Sequence, residues 1–262
     1  MDLCGAPTLR LSSPNFKTLY LVRHAQGIHN VELEEKGESP LSPKLFDARL
    51  SPKGLQQASE RRKQIIEAGL LNTIELVITS PLRRAMQTST GIFRGQVDVN
   101  QSDDFPKVNN SPPIVALEIC RERMGRYPCD RRESISAHRT CFTEIDFTMI
   151  ENDEDALWQA DERENLEDVA SRGLHFLKWL WERPEKEIAI VSHGIFLQQT
   201  LCALHEKVGI PLEDSLLTRF ANCELRTIRI EKSDMEEYTL TTCICNCRKY
   251  VTPPSTSLHT FE

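Results

Sequence analysis

The sequence predicts an α/β protein: a mostly parallel central sheet flanked by helices, in a single domain over residues 1–262. Two observations point there. Three short apolar runs, at 18–22, 74–78 and 187–191, have the continuous hydrophobicity of strands buried on both faces, and each ends in small or polar residues. Between them lie segments with three- and four-residue apolar spacing, which alternate helices with strands. The 262 residues and 30.0 kDa suffice for one large domain with a full core.

In chain order, 1–16 reads as an irregular lead-in and 18–22 as the first strand, running into Arg23 and His24. Residues 31–45 mix Glu, Lys, Gly, Ser and Pro and read as a surface loop. Ser51 stands as an N-cap with Pro52 at the first helical position, opening a helix to about Ala68 with Gly69 as its stop. The strand at 74–78 leads through Thr79-Ser80-Pro81-Leu82-Arg83-Arg84 into another helix, whose first turn offers backbone N–H groups to an anion. Residues 95–160 are charge-rich with little periodicity and read as an insertion over the C-terminal ends of the strands. Residues 163–182 carry the clearest helical stripe, Leu166, Val169, Ala170, Gly173, Leu174, Leu177, Leu180 and Trp181. The strand at 187–191 ends in Ser192-His193-Gly194, a helix follows from about 195 to 205, and two closing strands are expected near 223–230 and 238–247.

Composition narrows the function. A net charge of -7 argues against broad nucleic-acid or membrane-surface binding, so an anion site has to be a local basic pocket. No stretch of eighteen apolar residues suggests a membrane span. The opening residues lack a secretory pattern, and nine cysteines without a disulfide-like framework read as reduced thiols, so the cytoplasm is the expected compartment. Cys243, Cys245 and Cys247 read as three thiols on one face of a strand, with a metal or redox site as the alternative, and 251–262 as an irregular tail.

If the three strands are parallel, Arg23-His24, the loop leading to Arg84, and His193 converge on one edge of the sheet. Two guanidiniums and two imidazoles make a cationic pocket suited to a phosphoryl group in transfer. A nucleophilic imidazole there must be neutral at its attacking nitrogen, with its other nitrogen donating to a backbone carbonyl. There is no His-Glu-x-x-His motif and no carboxylate cluster near the strand ends, so neither a metal nor a cofactor is expected. His29 and His205 read as surface or core residues. Arg121, Arg123, Arg126, Arg131 and Arg132, with His138 and Arg139, precede an acidic run at 151–155. The two runs either pair with each other, or some arginines hold a second acidic group on the substrate.

The run Arg23-His24-Ala25-Gln26-Gly27-Ile28-His29-Asn30 resembles the signature of the histidine phosphatase superfamily, phosphoglycerate mutase-like branch. There the pattern is Arg-His-Gly with an asparagine six residues after the histidine; Ala25 replaces the glycine. Asp47-Ala-Arg49-Leu50-Ser51-Pro52-Lys53-Gly54 and Ser80-Pro81-Leu82-Arg83-Arg84-Ala85-Met86-Gln87-Thr88 resemble two further family stretches, the second placing Arg84 rather than Arg83 as phosphate ligand. Segments 128–132 and 153–158 are similar to plant and fungal mutase-like members. The resemblance implies a three-layer sandwich and a phosphohistidine intermediate on His24, with Arg23, Asn30, Arg84 and His193 around the phosphoryl group. It implies Glu122 as the acid that protonates the leaving oxygen, with Glu118 as its competitor. The absence of the mutases' Arg-His-Gly-Glu-Ser favours a metal-independent phosphatase on a small phosphorylated metabolite over a mutase. A non-catalytic phosphate-binding module and an interaction protein are the remaining alternatives, and nothing in the sequence sets an oligomeric state.

Overall fold

The computed structural model describes residues 16–96, 111–208, 213–232 and 238–241. The chain begins with β1 (Phe16–Arg23), α1 (Ile28–Glu34), α2 (Pro52–Glu67), α3 (Leu70–Thr73), β2 (Leu76–Thr79) and α4 (Arg83–Arg94). It continues through β3 (Ile114–Ala116), α5 (Ile135–Cys141), β4 (Ile145–Asp146), α6 (Leu166–Glu182) and β5 (Glu187–Ser192). It closes with α7 (Gly194–Val208), α8 (Asp214–Leu217), β6 (Leu225–Lys232) and β7 (Tyr238–Thr241).

These strands form one seven-stranded sheet in the order β4-β3-β2-β5-β1-β6-β7. From β4 to β1 all neighbours are parallel, and only the β1–β6 and β6–β7 pairs are antiparallel, so the sheet is mostly parallel as the sequence predicts. Register decides what happens at the edge: Arg23 pairs with Ser192 and Thr79 with Val191, so β1, β2 and β5 stop at the same level.

Alternation along the central strands builds two cores. Leu19 and Leu21 of β1, Leu76 and Ile78 of β2, and Ile188 and Ile190 of β5 face α6 and α7, where Phe176, Leu177, Phe196 and Leu201 receive them. Tyr20, Val22, Val77, Ala189 and Val191 face the other way, onto Ile65 of α2 and Met86 and Phe93 of α4. Burial on both faces explains why the strands read as continuous apolar runs. Ser51 caps α2 by accepting from the Gly54 N–H at 3.0 Å, with Pro52 at the first position. Gly54 lies against β1's continuation so closely that a Cβ there would stand 2.1 Å from the Gln26 carbonyl oxygen, which locks the second motif to the first. Asn165 caps α6 by accepting from the Asp168 N–H at 2.8 Å, so that helix starts three residues later than the sequence predicts.

Two expectations are corrected. The loop read at 31–45 begins as helix α1, a seven-residue element whose N-cap is Gly27 and whose start is fixed by the Asn30 side chain accepting from the Gly27 N–H at 3.0 Å. So short a helix leaves no periodic stripe. The segment 95–160 is not wholly an insertion, because β3 and β4 extend the sheet; strands of three and two residues carry too little alternation to be read. Cys243, Cys245, Cys247 and the tail at 251–262 lie outside the described residues. Among the described residues no helix is long and apolar enough to cross a membrane.

Phe176 is 2% exposed and packs on Trp179 and Phe196 at ring distances of 6.4 and 5.9 Å. Phe176→Ala is expected to cost about 3–5 kcal/mol of folding free energy, measured by urea unfolding.

Candidate active site

At the common edge of β1, β2 and β5 the chain places His24, Ser80 and His193. His24 is tied to the next strand by its own N–H, which donates to the Ser192 carbonyl at 2.8 Å. Its ring nitrogen Nδ1 is 2.7 Å from the Ala25 carbonyl oxygen. A carbonyl only accepts, so Nδ1 carries the proton and Nε2 keeps its lone pair. Nε2 faces Arg84, whose Nε donates to it at 3.3 Å. Ala25 is fully buried, its N–H donates to the Thr88 hydroxyl at 3.0 Å, and its φ lies outside the left-handed region, so alanine in place of glycine strains nothing here.

Arg84, at the start of α4, is 1% exposed and almost fully engaged: one terminal nitrogen donates to the Cys129 carbonyl at 2.5 Å and the other to Asp130 Oδ1 at 2.8 Å. Arg83 points elsewhere, paired with Glu133 and half-buried. His193 Nε2 lies 2.8 Å from the Ser80 hydroxyl, its Nδ1 has no hydrogen-bond partner, and its ring centroid is 5.0 Å from that of His24. Arg23 donates to the Phe220 carbonyl at 2.7 Å while its buried Nε is unpartnered. Asn30 is buried beside them, but its side-chain oxygen is given to the α1 start.

Glu122 sits at the first turn of α7, immediately after His193, where its carboxylate accepts from the Phe196 N–H at 3.1 Å and the Ile195 N–H at 3.3 Å, and from the Arg123 N–H at 3.1 Å. Its competitor Glu118 is occupied by Arg121 at 3.0 Å and Arg132 at 2.7 Å. The basic and acidic runs largely pair: Arg121 reaches Asp155 at 2.6 Å, and Arg132 donates to the carbonyls of Asn152, Asp153 and Glu154. Asp47, Glu133 and His138 bring ligating atoms within 4.8 Å of one another, yet the Arg83 guanidinium already neutralises Glu133.

His29 is a core residue, one of the two places the sequence allowed it, but its position beside His24 was not foreseen. It is buried in α1 with its ring centroid 5.5 Å from that of His24 and an unpartnered Nδ1. Asp130 is a second omission: it is 4% exposed and shares its carboxylate between Arg84 and Arg163, each at 2.8 Å. Its position inside a charge-dense run gave no signal to separate it from its neighbours.

Burial, reinforced by the Arg84 charge, holds His24, His29 and His193 well below the usual histidine value of 6.5. Burial, then Arg219, lowers Arg23 to about 10, so it stays charged at neutral pH. The pocket therefore combines cationic guanidiniums with neutral imidazoles.

Fold and site together define an α/β protein that gathers histidines and arginines at the C-terminal ends of parallel strands. Residues 19–109 and 137–241 match the family described as histidine phosphatase superfamily (branch 1). Over 228 residues the chain is 46% identical to a phosphoglycerate mutase-like protein of Arabidopsis thaliana, covering 82% of this chain and 84% of that one. Phosphoglycerate mutase-like protein 1 of the same plant is 45% identical over 233 residues, covering 84% and 83%. The chain belongs to the histidine phosphatase superfamily. Its fold is similar to that of the ecdysone phosphate phosphatase of Bombyx mori in complex with tungstate, with a TM-score of 0.53 at 16% identity over 94% of this chain and 97% of that one. The mycobacterial glucosyl-3-phosphoglycerate phosphatase gives a TM-score of 0.51 at 17% identity over 86% and 97%.

The three neutral histidines set a pH dependence of stability. Their folded values lie below 6.5, so as pH falls through 6.5 the unfolded chain takes up protons that the folded one refuses, and stability drops. Each contributes up to about 1.4 kcal/mol per pH unit in that window. Urea unfolding at pH 7 and 5.5 is expected to show this loss, and His193→Asn to reduce its slope.

Proposed function

We propose that the protein is a phosphatase, independent of metal, that acts on a small phosphorylated metabolite through a phosphohistidine intermediate on His24. The observation that carries this reading is the 2.7 Å contact from His24 Nδ1 to the Ala25 carbonyl, which leaves a neutral Nε2 facing the Arg84 guanidinium. Charge on the phosphoryl oxygens is met by Arg23 and Arg84, a task that metal-dependent phosphatases give to a metal ion. With the Ser80 hydroxyl donating to His193 Nε2, His193 Nδ1 is left as a further donor.

In the first half-reaction Nε2 bonds to phosphorus as the ester P–O bond breaks, and the leaving oxygen takes a proton from the Glu122 carboxyl. In the second, a water oxygen bonds to phosphorus, the P–N bond breaks, and the water's proton returns to Glu122. Inorganic phosphate leaves and His24 is again neutral. Arginine side chains fixed by buried partners need no reorganisation as charge develops, which is where most of the rate is expected to come from.

A mutase is the second reading, favoured by the names of the Arabidopsis relatives. It shares the first half-reaction and differs in the acceptor, an alcohol in place of water. The names of the fold neighbours, and Ala25-Gln26 where mutases carry Gly-Glu, support water. The five described cysteines, all unpaired, support a reducing, cytoplasmic setting.

Phosphate release from an aryl phosphate and a panel of sugar and three-carbon phosphates, without added metal, tests this. His24→Ala is expected to abolish release while retaining the fold; release near the wild-type rate would remove His24 as nucleophile. Arg84→Ala is expected to lower kcat by about 100- to 1,000-fold and Arg83→Ala by less than about 5-fold. The reverse order would mean that the wrong arginine has been assigned. Because His24 titrates well below 6.5, kcat is expected to hold from pH 7 down to 6, with its acid limb lying lower.

A further inference from the structure

One basic side chain at the site has no assigned task. Arg219 belongs to the segment between α8 and β6, which is fastened to the catalytic motif at three points. The Phe220 carbonyl accepts from Arg23 at 2.7 Å, and the His24 carbonyl accepts from the Asn222 side chain at 3.3 Å and from the Cys223 N–H at 3.2 Å. Phe220 is buried under the Arg226 guanidinium, 3.8 Å above its ring, which anchors the residue next to Arg219. The backbone that carries Arg219 is thus held in fixed relation to His24.

The Arg219 side chain crosses Gly194, the residue after His193. A Cβ built on Gly194 would stand 2.9 Å from Arg219 Nε and 3.3 Å from Arg23 Nε, so two guanidinium stems lie over one α-carbon. Gly194 leaves them that room. Like charges so placed repel, and Arg219 is the largest influence on Arg23 after burial, as well as acting on His29. No carboxylate among the described residues pairs with Arg219; its neighbour Glu224 is committed to Arg226 at 2.7 Å. Arg23 is buried at the pocket floor and Arg219 is exposed at its mouth. The neutral His29 ring lies within electrostatic reach of both and adds no opposing charge. Two cations on adjacent levels, with only one needed for the phosphoryl group, suit a ligand that carries two anions close together.

We propose that Arg219 is a specificity-determining residue that holds a second anionic group, a carboxylate or a further phosphate, on the substrate a few bonds from the reacting phosphorus. This deepens the phosphatase reading and rests on it for turnover, but not for binding.

The test compares wild type, Arg219→Met and Arg219→Lys on three matched esters: phosphoglycolate, 1,2-ethanediol bisphosphate and ethyl phosphate, which lacks a second anion. In Arg219→Met, kcat/KM for one or both of the doubly anionic esters relative to ethyl phosphate is expected to fall about 10- to 100-fold, mainly through KM, with partial recovery in Arg219→Lys. Which ratio falls says whether the group is a carboxylate or a phosphate. The same three esters are titrated by calorimetry into His24→Ala with and without Arg219→Met, so that binding is read without chemistry. Selective loss of the doubly anionic esters in that titration supports the subsite even if no ester is hydrolysed, an outcome that would sink the phosphatase reading alone. An unchanged ratio, equal loss on all three esters, or no binding of any ester overturns the proposal for Arg219.

Discussion

The buried ion pair between Arg84 and Asp130 is the contact on which the site depends. Both residues are almost wholly removed from water, so each charge needs the other; breaking such a pair typically costs about 3–5 kcal/mol. Through it, Arg84 is aimed so that its Nε meets His24 Nε2. Asp130 is itself held from outside by Arg163, which stacks on Tyr127 at 4.2 Å and donates to the Gly125 carbonyl, and its backbone carbonyl accepts from Arg121 at 2.7 Å. Arg121 is fixed in turn by Asp155. The charge-dense middle of the chain is therefore a scaffold that orients one guanidinium.

The same middle segment reaches the other strand end. The Ser192 hydroxyl donates to the Cys120 carbonyl at 2.6 Å, and two residues later Glu122 accepts from the first turn of α7. Anchoring at β2 through Arg84 and at β5 through Ser192 and Glu122 joins the segment to both strands that flank the pocket. Concentrating cations in a low-dielectric site is costly, and surrounding them with carboxylates one step removed from the pocket leaves the interior positive while the chain as a whole carries a charge of -7. The imidazoles adapt to that field by staying neutral, which is the form a nucleophile requires.

What the sequence made legible was whatever sits at the end of a strong strand. Arg23, His24 and His193 follow apolar runs whose burial on both faces forces their C-terminal ends together, and Arg84 follows the third such run through a proline-marked helix start. The parts that escaped are those fixed by tertiary contact alone. β3 and β4 are too short for alternation, α1 is seven residues long with a glycine as its N-cap, and His29 looks like any polar residue until that helix folds it against His24. Asp130 and Arg219 are chosen by partners thirty to two hundred residues away, and a charge among many charges has no local pattern. The paired reading of Arg121 and Arg132 could be stated beforehand but decided only by distance.

The central claim is that Nε2 of His24 takes the phosphoryl group, and the most direct measurement is to trap it. The protein would be mixed with an aryl phosphate, quenched in alkali, where phosphohistidine persists, and examined by phosphorus NMR and peptide mass spectrometry. One phosphate is expected on the peptide containing His24, attached at Nε2, and none on that peptide in His24→Ala. Phosphate at His193, His29 or Ser80, or attachment through Nδ1 of His24, would contradict it.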